Sequence, residues 1–469
     1  MHLTVRDDQS MNGVEQQSRT NETIVVIGAG LVGCLIAIYL ARLGCRVTIY
    51  EKKGDPRSGE DVGRRPSINL TLCARGLEAL KHAGVKDQIT NLLTPVYGRM
   101  NHLENGSVVD QLYSDCKSAI YSIRRTELNI ALIAAAEKRD ISIEFNNKCV
   151  GCDARSGTVV IANAAGSTNT ISASCIIAAD GALSAVRSFL QKSGHLKTSI
   201  QYSQNGYKSL TIPSKRNSLK SGRIHLWPRR DCMAIAFPNR DGSYGVAVHR
   251  PLSDAKSLEL SATEQRVENF LADYFADLVP YLETPGLKLL SQRPNTMATV
   301  KCEPWSAHGR ILLIGDAAHG CLPHFGQGAN AGFEDCKMIA DLAGKSGTTW
   351  AEIIGTFENN RRPDTDMLGE LCFEHARQLH YWADNESSGV YQKLERYFHR
   401  LCPTRIIPLY TMMSFSLLSY TAVKKRHEIQ KQLISQLIPN AHICAQLKNT
   451  SFEHAIREQI EKTLPLLHA

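Results

Sequence analysis

Apolar and polar positions follow a recurring order along this chain: a short apolar run, a tight turn, then an amphipathic stretch. Residues 23–27 (TIVVI) are an apolar run suited to a strand buried on both faces. Residues 31–43 are amphipathic, Gly44 ends them, and residues 46–50 read as a second strand that stops at Glu51. The order returns at residues 175–187, where an apolar strand halts at Asp180-Gly181 and a helix carrying Ser184 and Arg187 follows. It returns again at residues 311–314, ahead of Gly315-Asp316. In a doubly wound arrangement such strand ends converge on one crevice, so three separate turns can serve one extended ligand. Between them, residues 67–72 read as strand and 75–83 as a short helix. Residues 97–110 and 111–113 read as strands of a different sheet, and 121–136 as a strand turning into a long apolar helix.

The first turn carries the most chemistry. Gly28, Gly30 and Gly33 give G-x-G-x-x-G between strand and helix, where the first glycine allows the turn, the second lets backbone approach a pyrophosphate and the third permits close helix packing. Phosphates then sit on the helix N-terminus, and Glu51 can accept from a ribose hydroxyl. This stretch alone leaves FAD and NAD(P) open. Arg64 and Arg65, beside the next strand, read equally well as facing a cofactor or as solvated loop charges.

Composition narrows the picture. At 469 residues and 43% hydrophobic content the chain fits two or three domains with a large core. With no internal repeat or clear linker, those domains are expected to be interleaved. The net charge of +8 is diffuse, which argues against nucleic acid and is compatible with an anionic ligand. Fourteen scattered Cys suit a reducing cytosol, and the polar residues 1–21 lack a secretory h-region, so a cytoplasmic location is expected. The Cys149-x-x-Cys152 pair lacks zinc spacing and reads as structural, and no metal site is expected. Residues 406–423 contain 18 uncharged positions, but Pro408 and several hydroxyl side chains favour a buried helix over a membrane span. Residues 424–448 then read as an amphipathic surface helix, and 449–469 as too short and charged to span.

From residue 23 to about residue 435 the sequence resembles the class A flavoprotein monooxygenases. The shared cofactor motifs are GAGLVG at residues 28–33, DGALSAVR at 180–187 and GDAAHGCLPHFGQGANAGFEDC at 315–336. RRPSINLTL at 64–72, YGRM at 97–100, SIRRTELN at 122–129, HLWPRRDCMAIAFPNRDGSY at 225–244 and PTRIIPLYTMMSFS at 403–416 are markers of the branch that acts on kynurenine. The resemblance implies an α/β fold: a Rossmann-like FAD-binding domain (22–72, 120–190 and 300–345), a mixed β-sheet substrate domain (73–119 and 191–299), and a C-terminal helical region (346–469). It implies cofactor contacts at Gly28, Gly30, Leu31, Val32, Gly33, Glu51, Arg125, Leu128, Asp180, Asp316, Gly326, Gly328, Ala329 and Asn330. Arg125 matches an arginine that meets the flavin nucleotide, and Asp316 the acid on the ribitol.

The same resemblance implies a reaction: FAD, reduced by a transiently visiting NADPH, activates O2, and one oxygen enters an aromatic ring ortho to its amine, as in L-kynurenine. No certain catalytic acid or base is expected, because the ring amine activates the substrate. His319 reads as a packing and cofactor-positioning residue. For the substrate, Arg99 matches a carboxylate-binding arginine, Tyr113 and Tyr410 its two tyrosines, and Pro323 and Phe325 the residues over the aromatic ring, with Tyr244 as a further substrate-binding position standing where the family has Phe. Counted from Arg362, His375 replaces an Asn of the family, Gln378 a Glu and Leu379 a Met, while Ala329 replaces a Met. Two outcomes follow: kynurenine retained, or a pocket retuned for a related aryl carboxylic acid. A non-hydroxylating flavoprotein is disfavoured by the clamp residues, and a flavin halogenase by the missing W-x-W-x-I-P helix. A monomer or homodimer is expected.

Overall fold

The apolar run at residues 23–27 becomes the centre of a parallel sheet. Thr23–Ile27 pairs with Arg46–Tyr50 on one side and with Cys175–Ala178 on the other, and Ile311–Leu313 adds beyond Cys175–Ala178. Ser142–Glu144 and Ser306–Ala307 form the edges of this six-stranded sheet. All four residues of Cys175–Ala178 are buried, as a strand covered on both faces requires. Because the four central strands run parallel, Gly28, Glu51, Asp180 and Gly315 all emerge at the same edge. The helices Leu31–Arg42, Arg125–Glu137 and Gly328–Ala343 pack together over the sheet and share its core. This computed structural model describes residues 19–59, 69–113, 118–229, 232–252, 263–381, 386–437 and 450–465.

A second, seven-stranded sheet is ordered Asn295–Glu303, Lys197–Ile212, Tyr244–Pro251, Met233–Pro238, Arg223–Pro228, Gly98–His102 and Val108–Leu112. Side chains alternate between its faces. One face, through Leu210, Trp227, Tyr244 and Val246, packs under the helices Glu264–Phe275 and Pro285–Leu290. The opposite face, through Ile224, Leu226, Ile235 and Phe237, meets Tyr113 and Tyr410. Smaller sheets are formed by Asn69–Leu72, Ile120–Arg124 and Thr94–Val96, and by Lys148–Asp153, Thr158–Ala162 and Thr168–Ser172. The last of these holds Cys149 and Cys152, whose thiols burial pushes up to about 11 and about 12, so both stay protonated.

Two element expectations need correction. Residues 97–110 are not one strand: Gly98–His102 and Val108–Leu112 form a hairpin around the Leu103–Ser107 turn. Residues 406–423 are not one helix. Leu409–Phe415 stops at Ser416, which turns extended and gives its hydroxyl to Met412 O at 2.6 Å, and a separate helix, Tyr420–Leu437, follows. Together with Trp350–Tyr381, Glu386–Leu401 and Thr450–Thr463, these helices form the C-terminal part. Among the described residues no helix is long and apolar enough to cross a membrane.

Candidate cofactor and substrate site

The glycine turn is built as its spacing demands. Gly28 takes φ of 104°, and a Cβ on Gly33 would fall 1.9 Å from Gly28 O, so helix and turn approach as only glycine allows. The helix Leu31–Arg42 begins with no side-chain cap and no acidic residue in its first turn, and the space beside Gly30 is open within 4 Å. Its N–H groups are therefore presented to an anion rather than consumed internally. Glu51 reaches back to accept from Ala29 N at 2.9 Å and from Lys53 N at 2.9 Å, which fixes the carboxylate at the turn with lone pairs left for a ribose.

Asp180 lies against the same turn. Its Oδ2 accepts from Ala185 N at 2.7 Å, while its Oδ1 is buried without a partner. Burial raises this carboxyl above its ordinary range, with the hydrogen bonds from Ser184 and the helix N–H groups opposing. At the third turn Asp316 is exposed amid buried neighbours, and Gly328 faces it: a Cβ there would lie 3.8 Å from its Oδ1. The helix Gly328–Ala343 again starts without a side-chain cap or early acid. An orphaned acceptor, two uncapped helix starts and open space above Gly30 suit an extended phosphate-bearing ligand such as FAD. Helix starts at residues 31–33 and 328–330 would hold its anionic parts, and Glu51, Asp180 and Asp316 its hydroxyls.

Other expected cofactor residues act differently. Leu128 does not face the groove: its side chain is fully buried in the core, and the helix instead offers Asn129, whose Nδ2 donates to Ala29 O at 2.9 Å. Asn129, within the SIRRTELN string, pins the turn from the carbonyl side of Ala29 as Glu51 does from its N–H. Val32 packs against Gly315 and Gly332, and Leu31 is buried, so these two offer backbone only. Arg125 is exposed at the start of its helix. Asn330 is wholly buried, bonding Thr71 O, Gly326 O and Cys73 N, so it braces the loop 326–330, within which Ala329 is partly buried. Arg64 and Arg65 lie outside the described residues.

Beneath the third turn lies an ion network. His319 Nε2 meets Asp335 Oδ2 at 2.6 Å, Arg361 Nε donates to Asp335 Oδ1 at 2.8 Å, and Gly315 N donates to Asp335 Oδ2 at 3.0 Å. Burial alone would raise the Asp335 carboxyl, but His319 and Arg361 outweigh it and hold it down to about 2. His319 is thus engaged in positioning the Gly315-Asp316 turn.

On the near face of the large sheet, Arg99 is 9% exposed and its Nε donates to Gln111 Oε1 at 3.1 Å on the paired strand. Burial pushes its guanidinium below its ordinary pKa, and Arg396 nearby adds to this. Tyr113 and Tyr410 stack at 4.6 Å, both hydroxyls pushed up by burial, and Tyr410 stands 6.3 Å from Phe325. Phe325 in turn lies flat against His375, centroids 4.2 Å and planes 18° apart. Arg99, Tyr113, Tyr410, Phe325 and His375 therefore belong to one neighbourhood, with Pro323 exposed at its margin. Tyr244 does not belong there. In register it pairs with Pro238 and Ile212, which puts it on the opposite face from Arg99; it is 2% exposed in the second core and its hydroxyl donates to Lys220 O at 3.2 Å. The side chains of Gln378 and Leu379 lie outside the described residues.

The FAD binding domain family matches residues 21–368, well over half the chain, which therefore belongs to that family. Curated relatives narrow this. A kynurenine 3-monooxygenase of Cytophaga hutchinsonii is 36% identical over 89% of this chain and 94% of its own, and one of Christiangramia forsetii is 30% identical over 94% and 99%. The chain is accordingly a member of the kynurenine 3-monooxygenase family. Solved structures agree on the fold: 2-methyl-3-hydroxypyridine-5-carboxylic acid oxygenase superposes with a TM-score of 0.65 at 21% identity, covering 78% of this chain and 94% of that one. CtdE, solved with FAD and a substrate, gives 0.64 at 16% identity over 89% and 100%.

Proposed function

We propose that the protein is an FAD-dependent, NADPH-consuming hydroxylase that places one oxygen atom from O2 on the aromatic ring of L-kynurenine, ortho to the ring amine. The observation that carries this reading is a buried arginine set among stacked aromatic rings on the face that meets the cofactor turns. A guanidinium fork in a dry site recognises a carboxylate, and the aromatic wall accepts the ring attached to it. Bound FAD, once reduced, supplies the oxygen chemistry. The chain's own residues do the rest. Arg99 anchors the carboxylate, Tyr113 and Tyr410 offer hydroxyls beside it, and Phe325 with its neighbours excludes water that would divert the reaction. Uncapped N–H groups at the start of Gly328–Ala343 favour negative charge near them. The supporting relatives are bacterial, which fits work in the cytoplasm, as a monomer or homodimer.

The test is substrate-stimulated NADPH oxidation with identification of the product across kynurenine and related aryl acids. Stoichiometric 3-hydroxykynurenine supports the reading; oxidation yielding only peroxide with kynurenine overturns it. One observation favours a second reading. His375 lays an imidazole on the ring wall, which suits a substrate retuned from kynurenine. His375→Asn should then lower turnover on the true substrate and raise it on kynurenine, whereas with kynurenine retained the same change keeps or improves turnover.

A further inference from the structure

Arg99 is held from the side by the edge strand of its own sheet. Val108–Leu112 is the last strand in the order, and four of its five side chains are exposed. Gln111 alone turns partly inward, directly across from Arg99, and its Oε1 accepts from Arg99 Nε at 3.1 Å. Directly opposed positions on antiparallel strands bring Cβ atoms within about 5 Å, so the contact is a property of the register. The strands are also pressed together beside it: a Cβ on Gly98 would fall 2.4 Å from Gln111 O, an approach that only glycine permits. Two residues on, Tyr113 N donates to Tyr97 O at 3.0 Å, and Tyr113 O accepts from Thr411 Oγ1 at 2.9 Å. Gln111 and Tyr113 therefore belong to one anchored segment flanking the guanidinium.

The same strand carries an acid, and the register keeps it away from Arg99. Asp110 opposes Met100 and turns to the other face, where its carboxylate accepts from Arg223 Nε at 2.7 Å and from Lys220 Nζ at 2.7 Å. A slip of one position would exchange the faces and set this carboxylate beside Arg99. What the register delivers instead is a carboxamide, an acceptor with the length and shape of a glutamate but no charge. In a dry site that difference decides what can bind. A carboxylate next to Arg99 would form a buried ion pair, and a ligand's carboxylate would have to displace it or share with it. A carboxamide holds the guanidinium by one nitrogen and neutralises none of its charge. Holding Nε also fixes the plane of the group, which a two-oxygen contact requires.

We propose that Gln111 is the positioning residue of the clamp and the origin of its preference for an anionic ligand: it orients Arg99 without neutralising it, and thereby sets how strongly the protein distinguishes kynurenine from the same molecule lacking the carboxylate. The proposal deepens the reading of Arg99 as the carboxylate anchor and rests on it. It gives Gln111 a part in discrimination and none in oxygen transfer. Stability and selectivity are then separable at this position. An acid here would give the buried guanidinium a counter-charge and leave the strand pair intact, yet it would repel the ligand's carboxylate.

The experiment measures dissociation constants of kynurenine and of kynuramine, its decarboxylated counterpart, from the change each makes in the flavin spectrum of the FAD-loaded protein. Wild type should hold kynurenine at least about thirtyfold more tightly, as a charge-assisted contact to a carboxylate provides. Gln111→Glu should weaken kynurenine at least about tenfold and leave kynuramine within about threefold, with the melting temperature not lowered. Gln111→Leu, which removes the acceptor and adds no charge, should lower the ratio by a smaller factor, about threefold. In an Arg99→Met background neither change should move the ratio. A role confined to holding the strand would weaken both ligands alike. Should Gln111→Glu fail to fold, Gln111→Leu and its Arg99→Met counterpart decide alone. Equal weakening of both ligands, or a ratio unchanged by either substitution, overturns the proposal and leaves Arg99 as the anchor. So does a change in the ratio that persists with Arg99→Met. A wild type that holds both ligands equally, or holds neither, overturns the reading of Arg99 and this proposal with it.

Discussion

Arg99 shows what a single side chain decides. Removing a guanidinium from water is expensive, and hydrogen bonds in fork geometry are what make the burial tolerable. Lysine keeps the charge without the planar fork, so Arg99→Lys should raise the KM for kynurenine nearly as much as Arg99→Met, by at least about tenfold, with FAD content unchanged. Steady-state kinetics beside flavin absorbance checks this; equal KM values for wild type and Arg99→Met would remove Arg99 from substrate binding. Tyr113→Phe and Tyr410→Phe should each weaken substrate binding by about 1 kcal/mol, as the loss of one neutral hydrogen bond. These residues were legible because each sits in a short distinctive string. Tyr244 was misread for a physical reason: which face a strand residue occupies depends on register, and a shift of one position exchanges the faces. Asn129 was missed because an amide inside a helical run carries no mark of the carbonyl it will meet.

Among elements, the helix Gly328–Ala343 and the long helix Trp350–Tyr381 are joined through Asp335 and Arg361, and Arg361 also pairs with Asp364 at 3.2 Å. The Asp335 carboxyl, ordinarily near 4 and held at about 2 in the fold, contributes stability that is full above about pH 4 and lost as pH falls through about 2. That amounts to about 2 kcal/mol. Asp335→Asn should therefore be less stable than wild type at neutral pH, and the gap should close as pH drops below about 4. Denaturant melts across that range would show it; a gap independent of pH would mean the charge is not what matters. Ser184 accepts from Arg187 N at 3.0 Å at the start of Ala185–Lys192, so Ser184→Ala should cost about 1 kcal/mol in the same melts. Buried strands and the glycine turn were readable because their signals are local. The break at Ser416 was not, since an uncharged run looks alike whether it is one helix or two.

Across the molecule, the three turns separated by about 290 residues meet at one sheet edge, and the flavin site we propose draws on all of them. The purified protein should be yellow and release FAD on denaturation, and Asp316→Ala should weaken FAD retention by about 1.5–3 kcal/mol if its carboxylate holds a hydroxyl. Absorbance of the released flavin and titration of the apoprotein read both. The order of strands in that sheet has a consequence for synthesis. Thr23–Ile27 leaves the ribosome first but gains its partner Cys175–Ala178 only after some 150 residues more, and Ile311–Leu313 later still. Tyr410 of the aromatic cluster emerges after that. A nascent chain must therefore carry an unfinished hydrophobic sheet for most of its translation, and with the flavin site we propose it should not hold the flavin until residues 315–335 are out. Chains stalled near residue 300 should bind no FAD and depend on chaperones, whereas chains released near residue 400 should gain the cofactor groove before their aromatic cluster is complete.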